Sequence, residues 1–87
     1  MTEYNGHRSW NAWNVSLWIN NDEHLYNFAL RCIERARIKL GFRSHINRLV
    51  IDRATRAFYS SYKGEKTPDG ANYNRLSIKE AIAGLMK

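Results

Sequence analysis

The stretch Ser9–Glu23, SWNAWNVSLWINNDE, constrains this chain most, because it holds all three tryptophans within nine residues. On a wheel of 100° per residue, Trp13, Leu17 and Trp18 fall within about a third of a turn of Trp10, while Val15 and Ile19 point the other way. A short helix that is apolar on two faces is usually sandwiched between others. Its indoles can bury several hundred Å², at roughly 150–250 Å² per aromatic. The expectation is therefore the central core helix of a small bundle. The alternative is an exposed aromatic plate that binds a partner or stacks on bases. Asn14 falls inside the Trp face and, if buried, needs hydrogen-bond partners such as an indole N–H or a helix end.

The rest of the chain reads as three more helices. Ser9 is the N-cap of a first helix over 10–19, after an irregular arm over 1–8. Asn20 with Glu23 makes a variant capping box for a second helix over 21–40. Its stripe is Leu25, Phe28, Ala29, Cys32, Ile33, Ala36 and Leu40. Gly41 follows as the C′ residue, with Arg37 and Lys39 in the last turn. Ser44 opens a third helix over 45–62 with an inner stripe of Ile46, Leu49, Val50, Ala54, Ala57, Phe58 and Ser61. Arg53 falls on that inner side and is expected to pair with Asp22, Glu23 or Glu34; the alternatives are that it snorkels to solvent or lines a site. Arg48, Thr55, Tyr59 and Tyr62 share the outer face, with Arg56 at its border. Thr67-Pro68-Asp69-Gly70 is a turn with Pro at i+1 and Gly at i+3. A capping box from Ser77 to Glu80 starts the last helix, 78–86, whose apolar face is Ile78, Ala81, Ile82 and Leu85. The fold class is all-α: a single-domain bundle of four short helices, 87 residues long.

Charge is unevenly placed. The formal net charge is +6, and residues 31–56 hold eight of the fourteen Lys/Arg but only two of the eight acids, Glu34 and Asp52. Elsewhere the signs cancel. The asymmetry points to an acidic partner, either nucleic acid or an acidic protein surface, although a solvated basic helix face has the same composition. The lone Cys32 excludes an intramolecular disulfide and a cysteine zinc cluster, and its place on an apolar stripe makes it a packed thiol. No apolar run reaches the ~18 residues of a membrane span and the N-terminus lacks a signal-peptide core, so a soluble intracellular protein is expected, with a monomer and a homodimer both left open.

The opening YNGHRSWNAWNVSLWINNDEHLY, with TPDGANYN and the ending from Ser77 to Leu85, resembles a family of small uncharacterised proteins encoded by bacteriophages, prophages and plasmids. The resemblance covers Tyr4–Tyr26 and Thr67–Leu85, and the middle of the chain departs from the family pattern. What it implies is a mobile-element context and no mechanism. Small products of that context often act on host machinery, anti-CRISPR and other anti-defence inhibitors among them.

The residues suggest no catalytic chemistry. His7, His24 and His45 lack ligand spacing, Ser60-Ser61 lacks a neighbouring base, and no glycine-rich phosphate loop is present. No cofactor or metal is expected. The leading expectation is a non-enzymatic inhibitor that binds a host protein or nucleoprotein complex with an acidic surface. Its contact residues would be Arg31, Arg35, Arg43, Arg48, Arg56, Tyr59 and Tyr62, residue types enriched at interface hot spots. The runner-up is a small DNA- or RNA-binding regulator, with Arg43, Arg48 and Arg56 on phosphates and the two tyrosines on bases.

Overall fold

The computed structural model describes His7 and residues 9–87. The rest of the expected arm, residues 1–6 and Arg8, lies outside the described residues. Four α-helices follow in order: α1 (Trp10–Asn21), α2 (Glu23–Leu40), α3 (Asn47–Tyr62) and α4 (Arg75–Leu85), with a short 3-10 helix (Gly41–His45) between α2 and α3. The described residues form an all-α bundle without a strand, and Lys66 and Asn72 form an isolated bridge.

Local chemistry sets the boundaries. Ser9 is extended, and its hydroxyl accepts the Ala12 N–H at 3.1 Å to start α1. The expected break at Asn20 is absent, because the Asn20 and Asn21 side-chain amides donate back to the Ser16 and Leu17 carbonyls, both at 2.8 Å. The break comes at Asp22, whose N–H closes α1 on Trp18 and whose carboxylate accepts the Leu25 N–H at 3.0 Å as the N-cap of α2. Asn and Asp are equally good caps, and with Asp22 as the cap Glu23 becomes the first helical residue, beside the positive end of the dipole. Gly41, at φ +60, ends α2 in a conformation that residues with a Cβ rarely adopt. Ser44 lies inside the 3-10 helix, so α3 begins only at Asn47. Asn74 Oδ1 accepts the Ser77 N–H at 2.9 Å, which makes Asn74 the N-cap of α4 in place of Ser77. Ser77 is then free to be buried and Glu80 to meet His7 Nδ1 at 2.8 Å.

α2 packs on α3, α1 on α4, and α3 on α4. Phe58, Ile19, Ile78, Ile82, Val15 and Val50 are fully buried where they meet, and each such side chain stabilises the fold by ~1.5–3 kcal/mol. Phe28, Phe58, Tyr62 and Tyr73 form an aromatic cluster, with the Phe58 and Tyr62 rings stacked at 4.9 Å.

The tryptophans are not the centre of this core. α1 buries Ala12, Val15 and Ile19 together with Asn14 and Ser16. Trp10 and Leu17 are 39% and 37% exposed, and Trp13 and Trp18 are half-buried. The smaller side chains let α2 and α4 approach α1 closely, which leaves the indoles along its flanks.

One flank is covered by the segment between α3 and α4. Asn14 Nδ2 and Trp18 Nε1 both donate to Asp69 Oδ2 at 2.9 Å, and the Thr67 hydroxyl donates to Asn14 Oδ1 at 2.7 Å. Thr67 Oγ1 in turn accepts the Ala71 N–H at 3.0 Å, and the Gly70 N–H closes the expected turn on the Thr67 carbonyl at 2.8 Å. One turn earlier, Asn11 donates to the Asn72 carbonyl and the Ser77 hydroxyl, each at 2.9 Å, and accepts the Asn72 N–H at 2.8 Å. The buried Asn14 thus finds its partners in a turn more than fifty residues away. The two stretches that carry the family resemblance, WNAWN and TPDGAN, are a single hydrogen-bonded unit.

Candidate functional site

The site is governed by how α3 is turned. Its buried residues are Val50, Ala54, Thr55 and Phe58, with Ile51, Tyr59 and Tyr62 half-buried beside them. The inner arc is therefore rotated from the expected stripe. Thr55, Tyr59 and Tyr62 turn inward, because α4 and the segment before it cover the face that looked free. Tyr62 packs within the aromatic cluster, and the Arg75 guanidinium lies 5.1 Å over the Tyr59 ring. Both rings are half-buried, Tyr62 within the cluster and Tyr59 beside Arg75. In the other direction Arg53, Ala57 and Ser61 turn out to solvent. Arg53 is exposed on the ridge of α3, and no ion pair forms between it and Asp22, Glu23 or Glu34 among the described residues.

Two depressions flank that ridge. The groove between α2 and α3, about 320 Å³, is lined by Phe28, Arg31, Cys32, Arg35, Ala57 and Ser61. Arg31 stands 5.9 Å over the Phe28 ring. Burial pushes the Cys32 thiol above its ordinary range, with Arg35 and Arg31 opposing the shift, so it stays a thiol at neutral pH. The cleft between α3 and α4, about 400 Å³, is lined by Asp52, Thr55, Arg56, Arg75, Leu76 and Lys79. Its one carboxylate, Asp52, meets Lys79 Nζ at 3.8 Å, the long end of an ion pair.

Six cations therefore gather on this side: Arg31 and Arg35 beside the groove, Arg53 and Arg56 on α3, and Arg75 and Lys79 beside the cleft. Of the residues expected from sequence, Arg31, Arg35 and Arg56 are brought together here. Arg43 and Arg48 are exposed at the corner between α2 and α3 and line neither depression. Arg75 and Lys79 escaped the sequence reading because they lie in the charge-balanced remainder, and Arg53, expected on the inner side, is not among the expected contact residues. Arg75 and Lys79 sit one turn apart on α4, and the expected start at 78 leaves Arg75 outside the helix.

Among the described residues no group of three or more His, Cys, Asp or Glu side chains stands close enough to hold a metal ion. None of the described helices is long and apolar enough to cross a membrane. The sequence matches one family over residues 1–87, DUF7249, a family of unknown function. No curated protein and no solved structure matches it.

Proposed function

For a chain that belongs to DUF7249, a family of unknown function, we propose stoichiometric binding of an acidic host macromolecule through the cationic face of α2, α3 and α4. The partner is a host protein or nucleoprotein complex, and the consequence of binding is inhibition of a host defence system, with a CRISPR effector as the specific case. The observation that carries the reading is the gathering of Arg31, Arg35, Arg53, Arg56, Arg75 and Lys79 around one exposed helix ridge, where Asp52 and, beside Arg31, Glu34 are the carboxylates that interrupt it. Such a concentration of one sign speeds encounter with an oppositely charged surface, and arginine is favoured at interface hot spots. The mobile-element context implied by the resemblance supplies the defence setting, by association alone. The chain works in this reading as a binder and not as an enzyme.

The second reading, a small DNA- or RNA-binding regulator, is favoured by the cleft, where three cations surround a buried hydroxyl. It predicts a binding constant that falls steeply with salt, with a log–log slope of about −0.9 per phosphate neutralised on duplex DNA.

The deciding experiment is capture from host lysate with the tagged protein, in nuclease-treated and untreated halves, beside a triple variant Arg31→Glu, Arg35→Glu, Arg53→Glu. One host protein held stoichiometrically after nuclease treatment, and lost from the folded variant, supports the inhibitor. Recovery of nucleic acid alone moves the reading to the regulator. Full capture by the triple variant overturns the assignment of the face.

A further inference from the structure

We propose that the cleft between α3 and α4 is a binding site for a phosphoryl group, the dianionic end of a phosphate monoester. This inference deepens the proposed function and rests on that reading for its biological setting, but its chemistry stands on its own observations. Arg56, Arg75 and Lys79 line the cleft against Asp52 alone. Three cations held near one carboxylate repel one another unless an anion joins them, and a phosphoryl group has three oxygens to share among three such donors. Arg75 is already placed, with its guanidinium over the Tyr59 ring.

Thr55 is the second, independent observation. It also lines the cleft, is only 6% exposed, and its Oγ1 is shielded from water with no hydrogen-bond partner. A buried hydroxyl without a partner costs stability, and such groups are rare in folded proteins. A threonine inside a helix normally turns its hydroxyl to the carbonyl one turn back, and this one does not. The hydroxyl is closed to water as it stands, so an oxyanion seated among the cations would take that proton as a hydrogen bond once the side chains over it draw aside. The volume, about 400 Å³, lies in the range of small-ligand pockets. It leaves room beside Leu76 for whatever carries the phosphate. The site therefore suits either the end of a nucleic-acid strand or a free phosphate ester, which share the phosphoryl group.

The test is titration of the whole ¹⁵N-labelled chain with inorganic phosphate at constant ionic strength, with chloride as control, read by NMR. Saturable shifts centred on Thr55, Arg56, Arg75 and Lys79 are expected, and Arg75→Gln should weaken the binding about tenfold by removing one charge-assisted contact. Thr55→Val is nearly isosteric and breaks no existing hydrogen bond, so it should fold and yet bind phosphate several-fold more weakly. Asp52→Asn should bind more tightly. Shifts that never saturate, that spread over the whole basic face, or that survive in Arg75→Gln and Thr55→Val overturn the site. A 5′-phosphorylated oligonucleotide, its 5′-hydroxyl counterpart and adenosine 5′-monophosphate separate the sources. Preference for the phosphorylated strand over both others assigns a strand end, and equal binding of the mononucleotide assigns a free ester. If phosphate fails to bind while capture of the host partner still depends on Arg31, Arg35 and Arg53, the cleft proposal falls and the proposed function stands. The reverse pattern overturns the proposed function and leaves the cleft.

Discussion

At Asp69 one carboxylate oxygen holds a turn to a helix. Although the residue is exposed, the Asn14 amide and then the Trp18 indole donate to it and hold its carboxyl below the ordinary range, against a smaller opposing effect of desolvation. A depressed folded-state pKa means that the unfolded chain binds the proton more readily. The contribution is then complete above the unfolded value of about 4 and is lost as pH falls through the lowered folded value. Urea unfolding at a series of pH values should show a midpoint that drops on acidification, and Asp69→Asn should flatten that drop. An unchanged acid slope in the variant would place the titrating group elsewhere. At the alkaline edge Tyr73 behaves in the opposite sense, since burial pushes its phenol up to about 12. The unfolded chain ionises first, so stability is present below about pH 10 and is lost as pH rises toward the folded value. Tyr73→Phe should move the alkaline unfolding midpoint upward.

Among the elements, α1 is held differently from α3. α3 is anchored by Phe58, which is fully buried in the aromatic cluster, and Phe58→Ala should cost ~3–5 kcal/mol. α1 depends as much on its polar contacts with the segment over 66–73. Asn14→Ala strands the buried Thr67 hydroxyl, which should cost roughly 1–3 kcal/mol and release hydrogen-exchange protection at Ala71 and Asn72 before the global unfolding limit. Trp18→Ala should be milder than Phe58→Ala, because Trp18 is only half-buried. Denaturant curves that rank Trp18→Ala above Phe58→Ala would return the tryptophan to the core. Periodicity made the four helices legible in the sequence. Their ends were not, wherever two cap residues compete: Asn20 against Asp22, and Ser77 against Asn74. The turn of α3 was illegible for a different reason. Thr55, Tyr59 and Tyr62 are amphipathic, and what covers them arrives from α4 and Tyr73, which local spacing does not announce. The need of Asn14 for partners and the shape of the Thr67–Gly70 turn were each readable alone. Their meeting is tertiary.

For the whole molecule the net charge of +6 says less than its placement. Four of the six cations of the candidate site lie in the basic middle of the sequence, where Arg31, Arg35 and Arg56 were readable as contacts while Arg53 was expected on the inner side of its helix. Arg75 and Lys79 join them only through the packing of α4 on α3. Net charge and a specific face make different predictions for two variants of identical charge. Arg31→Glu with Arg35→Glu alters the groove beside the α3 ridge, and Arg43→Glu with Arg48→Glu alters the corner that lines neither depression. Screening over a Debye length of about 10 Å at 0.1 M salt suppresses any long-range effect of total charge, so contact with the face dominates as salt rises. On a heparin column developed with a salt gradient, both variants should elute earlier than the parent, and the Arg31/Arg35 variant should elute first. Heparin presents a dense line of anionic groups, so this ordering reports which cations reach a polyanion together. Coincident elution of the two variants would mean that the chain responds to polyanions through its total charge alone. The ridge of α3 and its flanking depressions would then lose their claim to be the binding surface.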